Sequence, residues 1–184
     1  MSSHEKNGAL LTQTTAGNPN GKRLIPHIID ETARREPLRE WAQTPVSSDP
    51  KDGWRTVTFQ AFANAIDRCS HMLIEQAGHP HAGEFPTIAY VGPNDARYLV
   101  IMVAAIKTGY KLGASKLIQI LYISPRNSQE AQFNLFDKTD CHFIAFPDYF
   151  AILVEPLLRK RKDMKAIKSG SAYGDVLDIG DAPE

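Results

Sequence analysis

The sequence predicts an α/β domain, a mostly parallel sheet flanked by helices. Three short apolar runs carry that reading: Thr87-Ile-Ala-Tyr-Val91, Lys116-Leu-Ile-Gln-Ile-Leu-Tyr-Ile123 and His142-Phe-Ile-Ala-Phe146. Each has the length and composition of a buried strand. The stretches between them have helical character. Asn94 or Asp95 opens the first, its apolar run Tyr98–Ile106 closes near Gly109, and Asn127 or Ser128 caps the second around Phe133, Leu135 and Phe136. Strands alternating with helices make a sheet of parallel strands covered by helices.

Composition sets the outer limits. The chain has 184 residues, 42% hydrophobic, with zero formal net charge, which is enough for one core and gives no global field to attract nucleic acid or an anionic membrane. The longest apolar stretch, Tyr98–Ile106, is about half of the roughly 20 residues that a spanning helix needs. Residues 1–22 are rich in Ser, Thr, Asn and Gly, lack the apolar core of a signal peptide, and are expected to form a disordered leader. Cys69 and Cys141 stand far apart, with the pattern of buried thiols in a reducing, cytoplasmic compartment.

The folded part is expected over residues 23–168. Leu24–Ile29 leads into a helix over Asp30–Arg35, with Ile25, Ile28, Ile29 and Ala33 on one face and His27 at the surface. Pro26 suits a first helical turn, and Pro37 ends the helix. Glu40-Trp41-Ala42 and Trp54–Thr58 read as the strands of a hairpin around the polar loop Pro45–Gly53, with Trp41 and Trp54 as structural anchors. Thr58 caps a helix over Phe59–Gln76, whose buried face is Phe62, Ala63, Ile66, Cys69, Leu73 and Ala77.

After the three strands, Asp148–Met164 reads as a helix with Phe150, Ile152, Leu153, Leu157 and Leu158 inward, kinked or divided by Pro156. Arg159-Lys-Arg-Lys162 with Lys165 matches a nuclear signal in composition, but without interleaved aromatics it reads as a solvated helix end. Met164–Lys168 adds a fourth strand, and residues 169–184 are expected to form a disordered tail.

Chemistry-bearing motifs are missing. Gly17–Lys22 is one residue short of a phosphate loop and is followed by Arg23 instead of Ser or Thr. Gly92 stands alone before Pro93, and His79 and His81 flank Pro80 with no third ligand nearby. No catalytic, cofactor-binding or metal-ligating residue is assigned.

Leu24-Ile-Pro-His-Ile-Ile-Asp-Glu31, Ser47–Trp54 and Pro86–Asp95 resemble the start of the adenylation (AMP-binding) domain of fungal adenylate-forming reductases of the nonribosomal-peptide-synthetase-like kind. Ala105–Lys111, Ile123–Glu130 and Asn134–His142 continue the likeness. Val57-Thr-Phe59 is similar to the first adenylation core motif, and Ile106–Gly109 with Ser124-Pro125 to the second, structural one. The resemblance implies a family that uses ATP and magnesium to turn carboxylic acids into acyl-adenylates and then loads a carrier protein. The family's phosphate loop, ribose-binding Asp, magnesium-binding Glu and lid lysine have no counterpart here. The expectation is therefore an N-terminal fragment that is catalytically inert alone, with no cofactor of its own. Its expected partner is the remainder of an adenylation domain or a homologue, and neither nucleic acid nor membrane. The alternative is a small binding or regulatory protein that pairs with a full-length homologue. Leu112–Gln119 interrupts the family pattern and reads as a loop insertion.

Overall fold

The computed structural model describes residues 24–47, 49–81, 84–93, 95–110, 121–122 and 127–170. Helix α1 runs unbroken over Ile25–Arg35 with Pro26 in its first turn, so Leu24–Ile29 is not a separate lead-in. Only Pro26 and Ile29 are buried in it, while Ile25 and Ile28 stay exposed. The expected four-residue face is narrowed because α1 packs on helices along one side only, at the margin of the core.

Strands β1 (Glu40–Pro45) and β2 (Trp54–Thr58) pair antiparallel as a separate two-stranded sheet. Trp41 anchors it by stacking on Phe62, ring centroids 3.7 Å apart. Trp54 is not a buried anchor: it pairs with Pro45 at the loop end of the hairpin and is 60% exposed.

Helix α2 (Phe59–Ala77) begins where the Thr58 hydroxyl accepts the Ala61 N–H at 3.2 Å. Phe62, Ala63, Ile66, Cys69 and Leu73 are buried as their spacing predicts, and Ala65, Ser70 and Met72 join them. The face is wider than the pattern implied because α2 lies between the sheet on one side and neighbouring helices on the other. Gly78 ends it at φ 89°, a conformation that suits glycine.

The main sheet has the order β4-β3-β5-β6 with every pair parallel: β3 (Thr87–Tyr90), β4 (Leu121–Tyr122), β5 (Cys141–Phe146) and β6 (Lys165–Lys168). Helix α3 (Arg97–Thr108) follows β3, and α4 (Gln129–Thr139) precedes β5. Alternation along the strands sorts the two faces. Ile88, Tyr90, Ala145 and Ile167 join the core under α1, α2 and α3. Ala89, Val91, Ile144 and Phe146 join the core under α4 and α5 (Ala151–Lys160). The result is a sheet between two helical layers.

Local signals set the helix starts with small shifts. Ser128, not Asn127, caps α4 by accepting the Ala131 N–H at 3.2 Å. Helix α3 starts two residues after Asp95, whose carboxylate takes up the Arg97 N–H. The predicted helix over Asp148–Met164 is instead a 3-10 turn at Asp148–Phe150 followed by α5, which contains Pro156. The turn resets the helical phase, so Val154 and Leu157 face inward while Ile152 is 80% and Leu153 47% exposed. Of the predicted run Lys116–Ile123 only Leu121–Tyr122 is described. Leu112–Gln119 and the segments 1–22 and 171–184 lie outside the described residues.

The outer edge of β6 is closed at one point by a side chain. Gln76 of α2 donates its amide N–H to the Lys168 carbonyl and accepts the Lys168 N–H, both at 2.9 Å. On the inner side the Ser169 N–H bonds the Phe146 carbonyl. The Gln76 amide thus stands where a fifth strand would bond.

Candidate functional site at the carboxyl edge of the sheet

Ligands of open parallel sheets bind outside the carboxyl ends of the strands. Here β3, β5 and β6 end at Tyr90, Phe146 and Lys168. Tyr90 is fully buried, and its hydroxyl has no hydrogen-bond partner among the described residues. Its ring meets Tyr98 edge-on at 5.0 Å and lies under Gly92, where any Cβ would come within 2.2 Å of the phenol oxygen. Gly92 is required for that close approach. Burial pushes the Tyr90 phenol above its ordinary pKa, so it stays neutral.

Beside it, the Asp95 carboxylate accepts both the backbone N–H and the guanidinium Nε of Arg97, each at 3.0 Å. The Arg97 guanidinium lies 6.0 Å from the ring centre of Tyr149. A triphosphate, the ligand that the resemblance implies, needs free backbone N–H groups at such a strand-to-helix turn. Pro93 supplies none, and Asp95 puts a negative charge beside the first helical N–H. These residues do not fit a triphosphate.

On the opposite face of the sheet a cleft of about 210 Å³ opens between α4 and α5. Val91, Ile152, Leu153, Pro156 and Leu157 form its apolar wall. Asn127, Gln129 and Gln132 form the polar one, where Gln132 Nε2 donates to the Asn127 carbonyl at 3.1 Å. A cleft so lined suits an apolar side chain with a backbone amide beside it.

The cysteines and histidines do not assemble into a reactive cluster among the described residues. Cys69 and Cys141 are free and buried, and burial raises both thiols, Cys141 to about 11. His142, at the amino end of β5, lies 3.0 Å from Asp140 and 3.2 Å from Asp163 on the surface. His27, His79 and His81 are exposed. Among the described residues no three His, Cys, Asp or Glu side chains are grouped as metal ligands. In the basic run, Arg161 pairs with Asp137 and Asp163, and Arg159 with Glu155.

Reading the sequence missed two features of this edge. Gly92 directly after a buried strand was a signal for a close approach, but its neighbour, the Tyr90 phenol, was not legible. The exposed stripe on α5 was hidden because Ile152 and Leu153 sit at spacings that also suit a core.

No family model matches the chain. It is 48% identical over 149 residues to a carboxylic acid reductase of Neurospora crassa, covering 81% of this chain and 13% of that protein. It is 33% identical over 148 residues to an isocyanide synthase–NRPS hybrid of Aspergillus fumigatus, covering 79% of this chain and 9% of that one. The chain therefore spans only a small part of the length of these relatives. Among solved structures, the N-terminal domain of FACL13 from Mycobacterium tuberculosis matches at TM-score 0.59 and 16% identity, over 84% of this chain and 36% of that chain. A fatty acyl CoA synthetase of the same organism matches at TM-score 0.58 and 15% identity, over 84% of this chain and 29% of that one. At such identities the structures show a shared fold, and the sequence relatives narrow it. The chain belongs with the adenylate-forming, AMP-binding proteins and corresponds to an N-terminal part of the adenylation domain of fungal reductases of the nonribosomal-peptide-synthetase-like kind.

Proposed function

We propose that this chain is the scaffold-forming opening of an adenylation domain and is catalytically inert by itself. The whole family protein activates a carboxylic acid with ATP and magnesium and passes the acyl group to a carrier; this chain contributes walls and packing surface to that process. The observation that carries the reading is coverage: the chain matches only 13% of the reductase and 9% of the hybrid, and it contains no counterpart of the family's phosphate loop. Adenylation depends on positioning and electrostatic stabilisation of the phosphates, and the turn after β3, with Pro93 and the Asp95 carboxylate, offers no substitute for that loop. The Aspergillus relative's name supports a place in secondary metabolism. Two free, buried thiols support a cytoplasmic setting.

The test is carboxylate-dependent ATP–pyrophosphate exchange by the purified chain against a broad panel of carboxylic acids. No exchange above a buffer blank is expected, and exchange with any acid overturns the proposal. The alternative, a binding protein that adds its sheet edge to a homologue, meets an obstacle at β6, where Gln76 occupies the Lys168 backbone groups. Co-elution with a full-length homologue on size exclusion would favour it.

A further inference from the structure

At the edge of the sheet opposite Val91 and the cleft, β5 begins with a ring held from both sides. His142 follows Cys141 at the amino end of the strand. Its Nε2 lies 3.0 Å from Asp140, the residue that ends α4, and its Nδ1 lies 3.2 Å from Asp163, in the loop between α5 and β6. A carboxylate only accepts hydrogen bonds, whereas a neutral imidazole has one N–H and one bare lone pair. Both contacts are hydrogen bonds only when the ring carries two protons. With one proton removed, a lone pair faces a carboxylate at bonding distance, and one contact opens.

The partners decide which one. Asp163 is held independently, because the Arg161 guanidinium donates to both of its oxygens at 3.1 Å and also to Asp137 of α4. Among the described residues the Asp140 carboxylate bonds only His142, and its side chain is 93% exposed, so it can turn into water. The other charged groups around the ring are Lys138 of α4, Lys162 of the loop and Lys165 of β6, whose ammonium lies 5.8 Å from the Phe143 ring centre. On the β3 side Thr87 pairs with Cys141, and Glu84 is the first charged residue before it. Among the described residues only Asp140 and Asp163 bond the ring.

We propose that His142 is a proton-dependent latch: the charged ring ties the end of α4 to the α5–β6 loop, and the neutral ring keeps Asp163 and releases Asp140. The cleft is walled by residues near the start of α4 and in the first two turns of α5, so the latch fastens the far ends of the same two helices. It does not depend on the adenylation reading.

The experiment is urea unfolding of the full chain at two pH values, one on each side of the His142 ring titration followed by NMR. Asp140→Asn removes the charge and keeps a residue that tolerates the left-handed backbone, φ 49°, of this position. On the acid side it should lower the midpoint by about 0.1–0.5 M. On the alkaline side it should cause no loss. Asp163→Asn should lower the midpoint on both sides, because Arg161 bonds that carboxylate whatever the ring carries. In a His142→Gln background the effect of Asp140→Asn should be the same at both pH values. A loss from Asp140→Asn on the alkaline side, no loss on the acid side, or a pH dependence that survives His142→Gln would overturn the proposal. An Asp163→Asn loss confined to the acid side would overturn it as well.

Discussion

Replacing Lys107 by Met should loosen the whole helical layer on one face of the sheet. Lys107 lies in the last turn of α3, and its ammonium donates to Asp30 of α1 and Asp67 of α2, both at 2.7 Å. One cation thus ties together three helices whose residues are far apart in sequence. Burial alone would lower the Lys107 pKa, but the hydrogen bonds to Asp30 and Asp67 outweigh it, and the net shift is upward. The carboxylates are partly exposed, which holds each pair to about 0.5–1 kcal/mol and the clasp to about 1–2. Methionine keeps the aliphatic stem, so packing is largely preserved. Urea unfolding should show a midpoint lower by about 0.5–1 M, for a slope near 2 kcal/mol/M. The loss should shrink in high salt, because exposed pairs are screened. A raised lysine pKa contributes stability that is present below its unfolded value and fades as pH rises through the folded one. The difference between parent and variant should therefore hold at neutral pH and vanish only above 10.5, the ordinary value. A midpoint that does not move, or a loss independent of salt, refutes the clasp.

Gln76→Ala should uncover the Lys168 backbone groups and cost about 1–2 kcal/mol for the two lost hydrogen bonds. Sedimentation should then reveal concentration-dependent association through β6; a variant that stays as monomeric as the parent would mean the edge needs no guard. Cys69 and Cys141 should resist a thiol reagent in the native chain and react fully in denaturant; fast native labelling of either would contradict its burial. The Asp163 carboxyl is held at about 2, chiefly by the Arg161 guanidinium and then by its own backbone N–H, with His142 adding to the effect. Its contribution is present above the ordinary value of 3.8 and lost as pH falls through about 2. In a carboxyl NMR titration Arg161→Met should move that midpoint up toward 3.8, and an unmoved midpoint would assign the shift to another group.

Features with local causes were legible in the chain. The hydroxyls of Thr58 and Ser128, the breaks at Gly78 and Gly109, and the alternation of apolar strands with helices all act within a few residues, so the order of elements was readable. The lack of a phosphate loop was readable for the same reason, since such a loop is a contiguous motif. Packing between distant elements chose among residues that look equivalent in the chain. Trp41 and Trp54 have the same composition signal, yet Trp41 alone meets Phe62. Ile152, Leu153, Val154 and Leu157 are all apolar, and the 3-10 turn at Asp148–Phe150 selected the last two for the core. The Lys107 clasp joins residues 77 and 40 positions apart, and the Gln76 cap joins residues 92 apart. Such polar pairings leave no periodicity in the chain, because they depend on where two elements meet after the apolar faces have packed.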